Sequence, residues 1–557
     1  MRRRTGARTK SRAGRRAGLR AGALTALSVL AVLGLLTACT GGDNAAPEES
    51  RYREGRLRVL ASSELADMEP VLKAAKAATG IEVQLTWSGT LDAAEQVASG
   101  AADGRFDAIW LSSNDYLRLR PEAAGKLSSE TPVMSSPVAL GVKPEVLARL
   151  GWQPGEVTWP AVHEAVAAGR LTYGMTDPVR SHSGFSALVS VASGLSGAQA
   201  ALTDADVRAA TPRLKEFFTG QKLTSGSSGW LATAYARRGD VDALVNYESV
   251  LLSMNRDAQG SGAPLTVIRP RDGVVTAHYP LTLLTSAPAG ARDAGRALTE
   301  YLRGPEAQKA ITERTLRRPV APGVAPAAGL DASVRRELPF PGSRAVADGL
   351  LASYENELRR PSRTVYVLDT SGSMGEEDRI GRLRSALTDL TGTGGSGPGR
   401  RFRDREEVTL LSFGSTVKKV STHAVEPGSP GAALDAIRAD VRALEPEGGT
   451  AVYSSLEAAY RHLGGSGGGG NGGDAFTSIV LMTDGENTEG VGAKHFDSFY
   501  AALPEAQKRT PVFAVVFGDS DRKQLTHIAE LTGGRLFDAT GGNSALAGAF
   551  EEIRGYQ

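Results

Sequence analysis

Cysteine is almost absent: the 557-residue chain has one, Cys39. A single thiol cannot close an intramolecular disulfide, so no disulfide framework holds this fold, and a metal site built on paired cysteines is excluded. Histidine is scarce too, with 7 in the whole chain and none in a His-Glu-x-x-His arrangement. There is no Gly-x-Ser-x-Gly elbow on a strand and no Walker loop. The local devices of zinc peptidases, serine hydrolases and nucleotide-driven enzymes are therefore missing. Beyond the N-terminus no long, acid-free basic cluster interleaves with aromatic residues, which argues against a nucleic-acid surface. A strong charge of either sign is lacking as well, because the formal balance is +2.

That balance conceals an asymmetry. Nine cations and no acids occupy residues 1–20, and an uncharged stretch runs from Ala21 to Leu36. A basic region followed by a short apolar run describes an export signal, shorter than a confident membrane span. The run ends in Leu36-Thr37-Ala38-Cys39, which resembles a bacterial lipobox. The resemblance implies that residues 1–38 are a lipoprotein signal peptide and that Cys39 is the lipid-modified first residue of the mature chain. An uncleaved anchor helix and a twin-arginine signal at Arg15-Arg16 are the alternatives. Without the nine leader cations the formal +2 becomes −7, so the basic character belongs to the leader.

The length suits two domains, each able to bury a core. Residues 39–56, small, polar and acidic, read as a flexible tether. Strand patterns at 57–61, 81–87 and 106–111 alternate with helical patterns at 68–78 and 91–98, the signature of a parallel sheet with crossover helices. The chain then runs through extended segments at 133–142 and 171–175, a strand–helix series at 243–251 and 265–269, and returns at 279–284. That course predicts two lobes joined by hinge strands. Ala61-Ser62-Ser63, Trp87-Ser88-Gly89-Thr90, Phe106-Asp107-Ala108-Ile109-Trp110, Ser181-His182-Ser183-Gly184, Asn246-Tyr247-Glu248-Ser249 and Gly304-Pro305-Glu306-Ala307-Gln308 resemble bacterial extracellular solute-binding proteins. The resemblance implies a two-lobed periplasmic-binding fold over residues 57–340.

In this first domain Ser62, Ser63, Thr90, Ser112, Ser183 and Tyr247 fall at strand ends or helix starts. Each serine taken singly reads first as a helix N-cap, but as a set their hydroxyls and the backbone N–H groups there face a crevice suited to a small polar or anionic solute. His182 is expected to face solvent at a helix start, and Asp107 and Glu248 are read either as pocket groups or as solvated strand-end acids.

Residues 341–362 read as a connector. From Thr364 a new alternation begins, with buried strand patterns at 364–368, 408–413, 477–482 and 511–517, helical ones at 382–390, 434–444, 453–463 and 541–553, and a glycine-rich loop at 464–473. Continuous apolar strands between helices predict a doubly wound α/β domain with a mostly parallel sheet over 363–557. Asp369-Thr370-Ser371-Gly372-Ser373 closes the first strand, Gly448-Gly449-Thr450 precedes a helix, and Thr483-Asp484-Gly485 closes another strand. In an open parallel sheet all three lie at the rim where ligands gather. Two carboxylates and three hydroxyls are hard oxygen donors, suited to an octahedral divalent ion. So few carboxylates leave the cation under-neutralised and receptive to an external acid. The set resembles the metal-ion-dependent adhesion site of von Willebrand factor type A domains. The resemblance implies that Asp369, Ser371, Ser373, Thr450 and Asp484 hold Mg²⁺, or Mn²⁺ or Ca²⁺, directly or through water.

These readings combine into one expectation: a lipid-anchored protein on the extracellular face of the cell membrane, without catalytic activity. Its metal site grips an acidic side chain of an extracellular or envelope protein, and its front domain takes a small polar or anionic solute. The alternative is a solute receptor of an ABC-type importer.

Overall fold

The computed structural model describes residues 55–257, 264–331, 336–393, 401–465, 475–516, 518 and 520–556. The export signal, Cys39, nearly all of the tether and most of the glycine-rich loop lie outside the described residues.

Three sheets organise the chain. The first runs in the order Glu82–Trp87, Arg56–Ala61, Ala108–Trp110, Pro280–Leu284, Leu127–Pro132. Its first three strands are parallel, and Pro280–Leu284 enters antiparallel between two of the others. The second follows Thr276–Ala277, Met134–Val142, Ala243–Tyr247, Tyr173–Thr176, Gln221–Ser225, with Thr266–Ile268 and Arg318–Pro319 also on Met134–Val142. The chain therefore crosses between the sheets three times, directly at Val133 and at 278–279 and again between Leu284 and Arg318, in keeping with the hinge-strand reading. Tyr279 sits in the second passage at φ 43°. A bulky residue seldom adopts that left-handed conformation. The surroundings hold it there: the ring is fully buried, its N–H donates to the Ser112 carbonyl at 2.9 Å, and the Arg317 guanidinium lies 4.8 Å from its centroid.

Two sequence readings in this domain need correction. His182 does not face solvent; it is 3% exposed, and its Nδ1 lies 3.0 Å from the Tyr247 hydroxyl. Asp107 and Glu248 are neither solvated nor free in a pocket. Asp107 is buried against Arg58, 2.8 Å away, and Glu248 is buried between Arg269 and Arg318. A buried carboxylate persists when cations and hydrogen bonds replace its lost hydration, and the arginines that do so are distant in sequence. The connector contributes to the same core. Helix Arg344–Ser353 buries Val346, Ala347, Leu350 and Leu351, and Tyr354 packs edge-on against Phe218 at 5.1 Å.

The third sheet runs Val417–Val425, Glu406–Phe413, Ser362–Asp369, Phe476–Thr483, Val512–Val516, Leu536–Asp538. Every pairing is parallel except that of the Val417–Val425 edge. Its period of two distributes one strand between two cores: Tyr366 and Leu368 enter one cluster, Val365 and Val367 the other. Val480 and Met482 divide from Ile479 and Leu481 in the same way. Both faces are thus covered, as the uninterrupted apolar runs predict. Each fully buried aliphatic side chain contributes about 1.5–3 kcal/mol, so these central strands fix the rim loops on a rigid base. Arg554, in the last helix, clamps that base through Glu406, with nitrogen–oxygen distances of 3.0 and 2.9 Å.

Candidate functional site

Asp369 is the last residue of Ser362–Asp369, and Asp484 follows the neighbouring parallel strand Phe476–Thr483. The shared register, with Leu368 opposite Met482, puts both carboxylates at one end of the sheet. Asp369 is fully buried and Asp484 is 3% exposed. A chain of short contacts joins them. The Ser371 N–H donates to Asp369 Oδ1 at 2.7 Å, the Ser371 and Ser373 hydroxyls are 3.1 Å apart, and Ser373 Oγ donates to Asp484 Oδ1 at 2.8 Å.

Thr450 arrives from a third loop. That loop is tied to the first by two backbone bonds, Gly372 N–H to the Gly448 carbonyl at 2.9 Å and Glu447 N–H to the Thr370 carbonyl at 2.8 Å. Its glycines have separate reasons: Gly448 has φ 81°, and a Cβ on Gly449 would lie 2.4 Å from Glu489 Oε1. The space beside Gly485 is shared. A Cβ built there would stand 3.4 Å from Thr450 Oγ1 and 3.9 Å from Ser373 Oγ. Four of the five expected ligands are therefore linked directly, and the Thr450 hydroxyl opens onto the same small cradle. The donor set, two carboxylates and three hydroxyls, fits a hard divalent cation.

Three neighbours of this set were not apparent from sequence. Thr483 Oγ1 donates to Asp369 Oδ2 at 2.5 Å. Arg379 Nη1 donates to Asp484 Oδ2 at 2.9 Å, a contact across 105 residues that no local pattern announces. Lys418 Nζ donates to the Thr370 carbonyl at 2.8 Å. Burial pushes the Asp369 carboxyl above its ordinary range; hydrogen bonds from Thr483 and Ser371 oppose this, and the Asp484 charge adds to it. Arg379 also pairs with Glu377 at 3.5 Å and Lys418 with Glu447 at 3.8 Å, so carboxylates outnumber the two fixed cations around the rim.

The first domain gathers its expected residues differently. Ser62 Oγ lies 3.4 Å from Thr90 Oγ1 and 3.2 Å from Ser112 Oγ, which in turn donates to Glu64 Oε1 at 2.5 Å. Burial raises the Glu64 carboxyl, and the Ser112 bond lowers it in part. Ser183 belongs to a second hydroxyl group, 2.8 Å from Thr176 and 2.7 Å from Ser228. Ser62, Ser63, Thr90 and Ser112 line a cavity of about 480 Å³. Tyr247 is buried behind His182 and does not line it.

Residues 57–314 match the family model of bacterial extracellular solute-binding proteins, and residues 364–486 match that of the von Willebrand factor type A domain. A solute-binding domain precedes a type A domain. Among curated proteins, no sequence matches the chain. Similar solved structures include the periplasmic binding protein AfuA from Actinobacillus pleuropneumoniae with exogenous fructose-6-phosphate bound (14% identity, 55% of this chain and 99% of that one, TM-score 0.45). Others are the periplasmic binding protein P5PA (16% identity, 55% and 100%, TM-score 0.44) and iron-bound HitA from Pseudomonas aeruginosa (15% identity, 53% and 98%, TM-score 0.42). The solute-binding match implies a periplasmic or extracellular location. Among the described residues no helix is long and apolar enough to cross a membrane.

Proposed function

We propose that this chain is a lipid-anchored extracellular protein whose type A domain binds an acidic group of a protein partner through a divalent cation. Asp369, Ser371, Ser373, Thr450 and Asp484 would hold the cation, and the cation would supply a Lewis-acidic position for a guest carboxylate. One observation carries the reading: three loops far apart in sequence meet at one rim, where a contact chain runs from Asp369 through Ser371 and Ser373 to Asp484 and the Thr450 hydroxyl borders the same space beside Gly485. The remaining work falls to the protein. Thr483 fixes the orientation of Asp369, Arg379 fixes that of Asp484, and Lys418 secures the backbone between them. Cys39 would carry the lipid, anchoring the chain at the outer face of the cell membrane.

The test is calorimetric titration of the purified chain with Mg²⁺ and Mn²⁺, followed by capture of surface proteins with and without chelator, comparing wild type with Asp369→Ala. Capture that needs both the metal and Asp369 supports the reading; capture indifferent to both removes it. A Cys39→Ala chain should appear in the medium instead of the membrane fraction. The importer-receptor reading draws on the solute cleft, and predicts metal-independent binding of a small solute with equal affinity in Asp369→Ala.

A further inference from the structure

The loop that brings Thr450 to the rim has no secondary structure of its own. Residues 443–451 join helix Gly431–Arg442 to helix Val452–Gly465 with neither strand nor helix between them. Peptide groups outside a ladder still need partners, and here side chains supply several of them. The Leu444 carbonyl accepts from Arg384, and the Glu445 and Glu447 carbonyls accept from Lys418. The Gly449 N–H donates to Ser415 Oγ at 2.8 Å, and the Thr450 N–H donates to Thr488 Oγ1 at 2.9 Å.

Lys418 is the member of this set that reaches two rim loops at once. Its Nζ donates to the Thr370 carbonyl at 2.8 Å, on the loop of Asp369. It also donates to the Glu447 and Glu445 carbonyls, at 3.0 and 3.2 Å, on the loop of Thr450. An ammonium has three N–H bonds, and each of them has a backbone oxygen here. The strand explains the aim of the side chain. Ser412 pairs with Lys419 and Phe413 with Val417, so Lys418 is the extra residue of a β-bulge in the edge strand Val417–Val425. A bulge re-aims the side chain it carries. Lys419, one residue on, goes instead to Asp440 at 2.6 Å. The Lys418 stem passes over Gly414, where a Cβ would lie 2.9 Å from Lys418 Cε and 2.6 Å from the Glu447 carbonyl oxygen. Any larger residue at 414 would crowd the ammonium out of its seat.

We propose that Lys418 is the positioning residue of the rim, a tethered ammonium that sets the spacing between the Asp369 and Thr450 loops before an ion binds. This role rests on the metal site proposed above and gives it a testable sign. As a charge, Lys418 repels a dication, so its removal would tighten binding. As a spacer it holds two ligand loops at a fixed separation, so its removal loosens them and weakens binding. Three backbone contacts from one nitrogen make the second effect the larger. Charge alone does not suffice, because a planar guanidinium cannot reproduce a three-point contact from a single atom.

The full chain in detergent, freed of metal by chelation, is compared with two variants. Lys418→Met keeps the stem and loses the charge; Lys418→Arg keeps the charge and loses the geometry. Hydrogen exchange without metal is read first by mass spectrometry. Peptides covering 370–373 and 444–450 should exchange faster in both variants, while strand Ser362–Asp369 keeps its protection. Calorimetry should then show Mg²⁺ bound at least about tenfold more weakly by both, ~1.4 kcal/mol. In Lys418→Ala, propylammonium replaces the missing part of the side chain and should restore Mg²⁺ affinity. Tetramethylammonium at the same ionic strength has no N–H and should not. Unchanged exchange in the two loops, or Mg²⁺ held as tightly by Lys418→Met as by wild type, overturns the positioning role. Equal rescue by the two cations overturns the three-point contact. An absence of Mg²⁺ heat from wild type removes the metal site instead, and the exchange comparison still decides whether Lys418 spaces the loops.

Discussion

Replacing Arg379 with glutamine tests the electrostatics of the rim. The Arg379 side chain is 6% exposed and lies 2.9 Å from Asp484 Oδ2, so it would share that carboxylate with the proposed ion. Two unit charges about 4 Å apart interact by ~4 kcal/mol at an effective dielectric of about 20. A dication competing with the guanidinium for one carboxylate meets a repulsion of at least that order before screening. Water at the open rim reduces it, and we expect about a third to survive, ~1.4 kcal/mol or tenfold in affinity. Arg379→Gln keeps an N–H donor for Asp484 and removes the charge. Calorimetry on chelator-treated protein should therefore show Mg²⁺ bound about tenfold more tightly by the variant. Weaker or unchanged binding would refute the competition and make Arg379 a pure orienting group for Asp484.

Other consequences follow from buried contacts. Arg554→Ala leaves Glu406 buried without its main cation, and chemical denaturation should show a loss of about 3–5 kcal/mol. Burial raises the Glu406 carboxyl, but Arg554 and its other hydrogen bonds outweigh this and hold it below its ordinary 4.5. A depressed carboxyl contributes stability above its unfolded value and loses it on acidification. Wild type should thus lose stability as pH falls below about 4.5, and Glu406→Gln should show a shallower acid slope. A Cβ on Gly184 would lie 2.3 Å from the Thr176 carbonyl and 2.9 Å from the Pro178 nitrogen. Backbone cannot yield as a side-chain tip can, so Gly184→Ala should displace the start of helix His182–Ser196 and lower the melting temperature by several degrees, on the order of 1–3 kcal/mol.

What was legible in the sequence is local. Asp369 and Asp484 each follow an apolar strand, and strand ends in a parallel sheet share a rim, so their approach was readable from pattern alone. Thr450 was readable because Gly448 and Gly449 precede it in a turn that leads into a helix pattern. The strand Val417–Val425 was not. It is a solvent-facing edge bearing Lys418 and Lys419 and lacks the apolar run that marks a covered strand. Arg379 escaped for a different reason, since nothing near it in sequence indicates a partner 105 residues away. His182 and Asp107 were misplaced because short polar motifs carry no record of what packs over them. The close approach of Gly555 to Gly226, where a Cβ on Gly555 would lie 2.5 Å from the Gly226 Cα, lies furthest from any local signal, because no pattern near either residue announces the other.

Magnesium titration of wild type against Asp369→Asn addresses the central claim most directly. Asparagine keeps the size of the side chain and an acceptor for the Ser371 N–H, and removes one of the two charges. One Mg²⁺ should bind the wild-type chain, and binding should fall at least about tenfold in the variant, ~1.4 kcal/mol, while its melting temperature without metal is maintained or raised. Equal magnesium heats from the two proteins, or none from the wild type, would contradict the account.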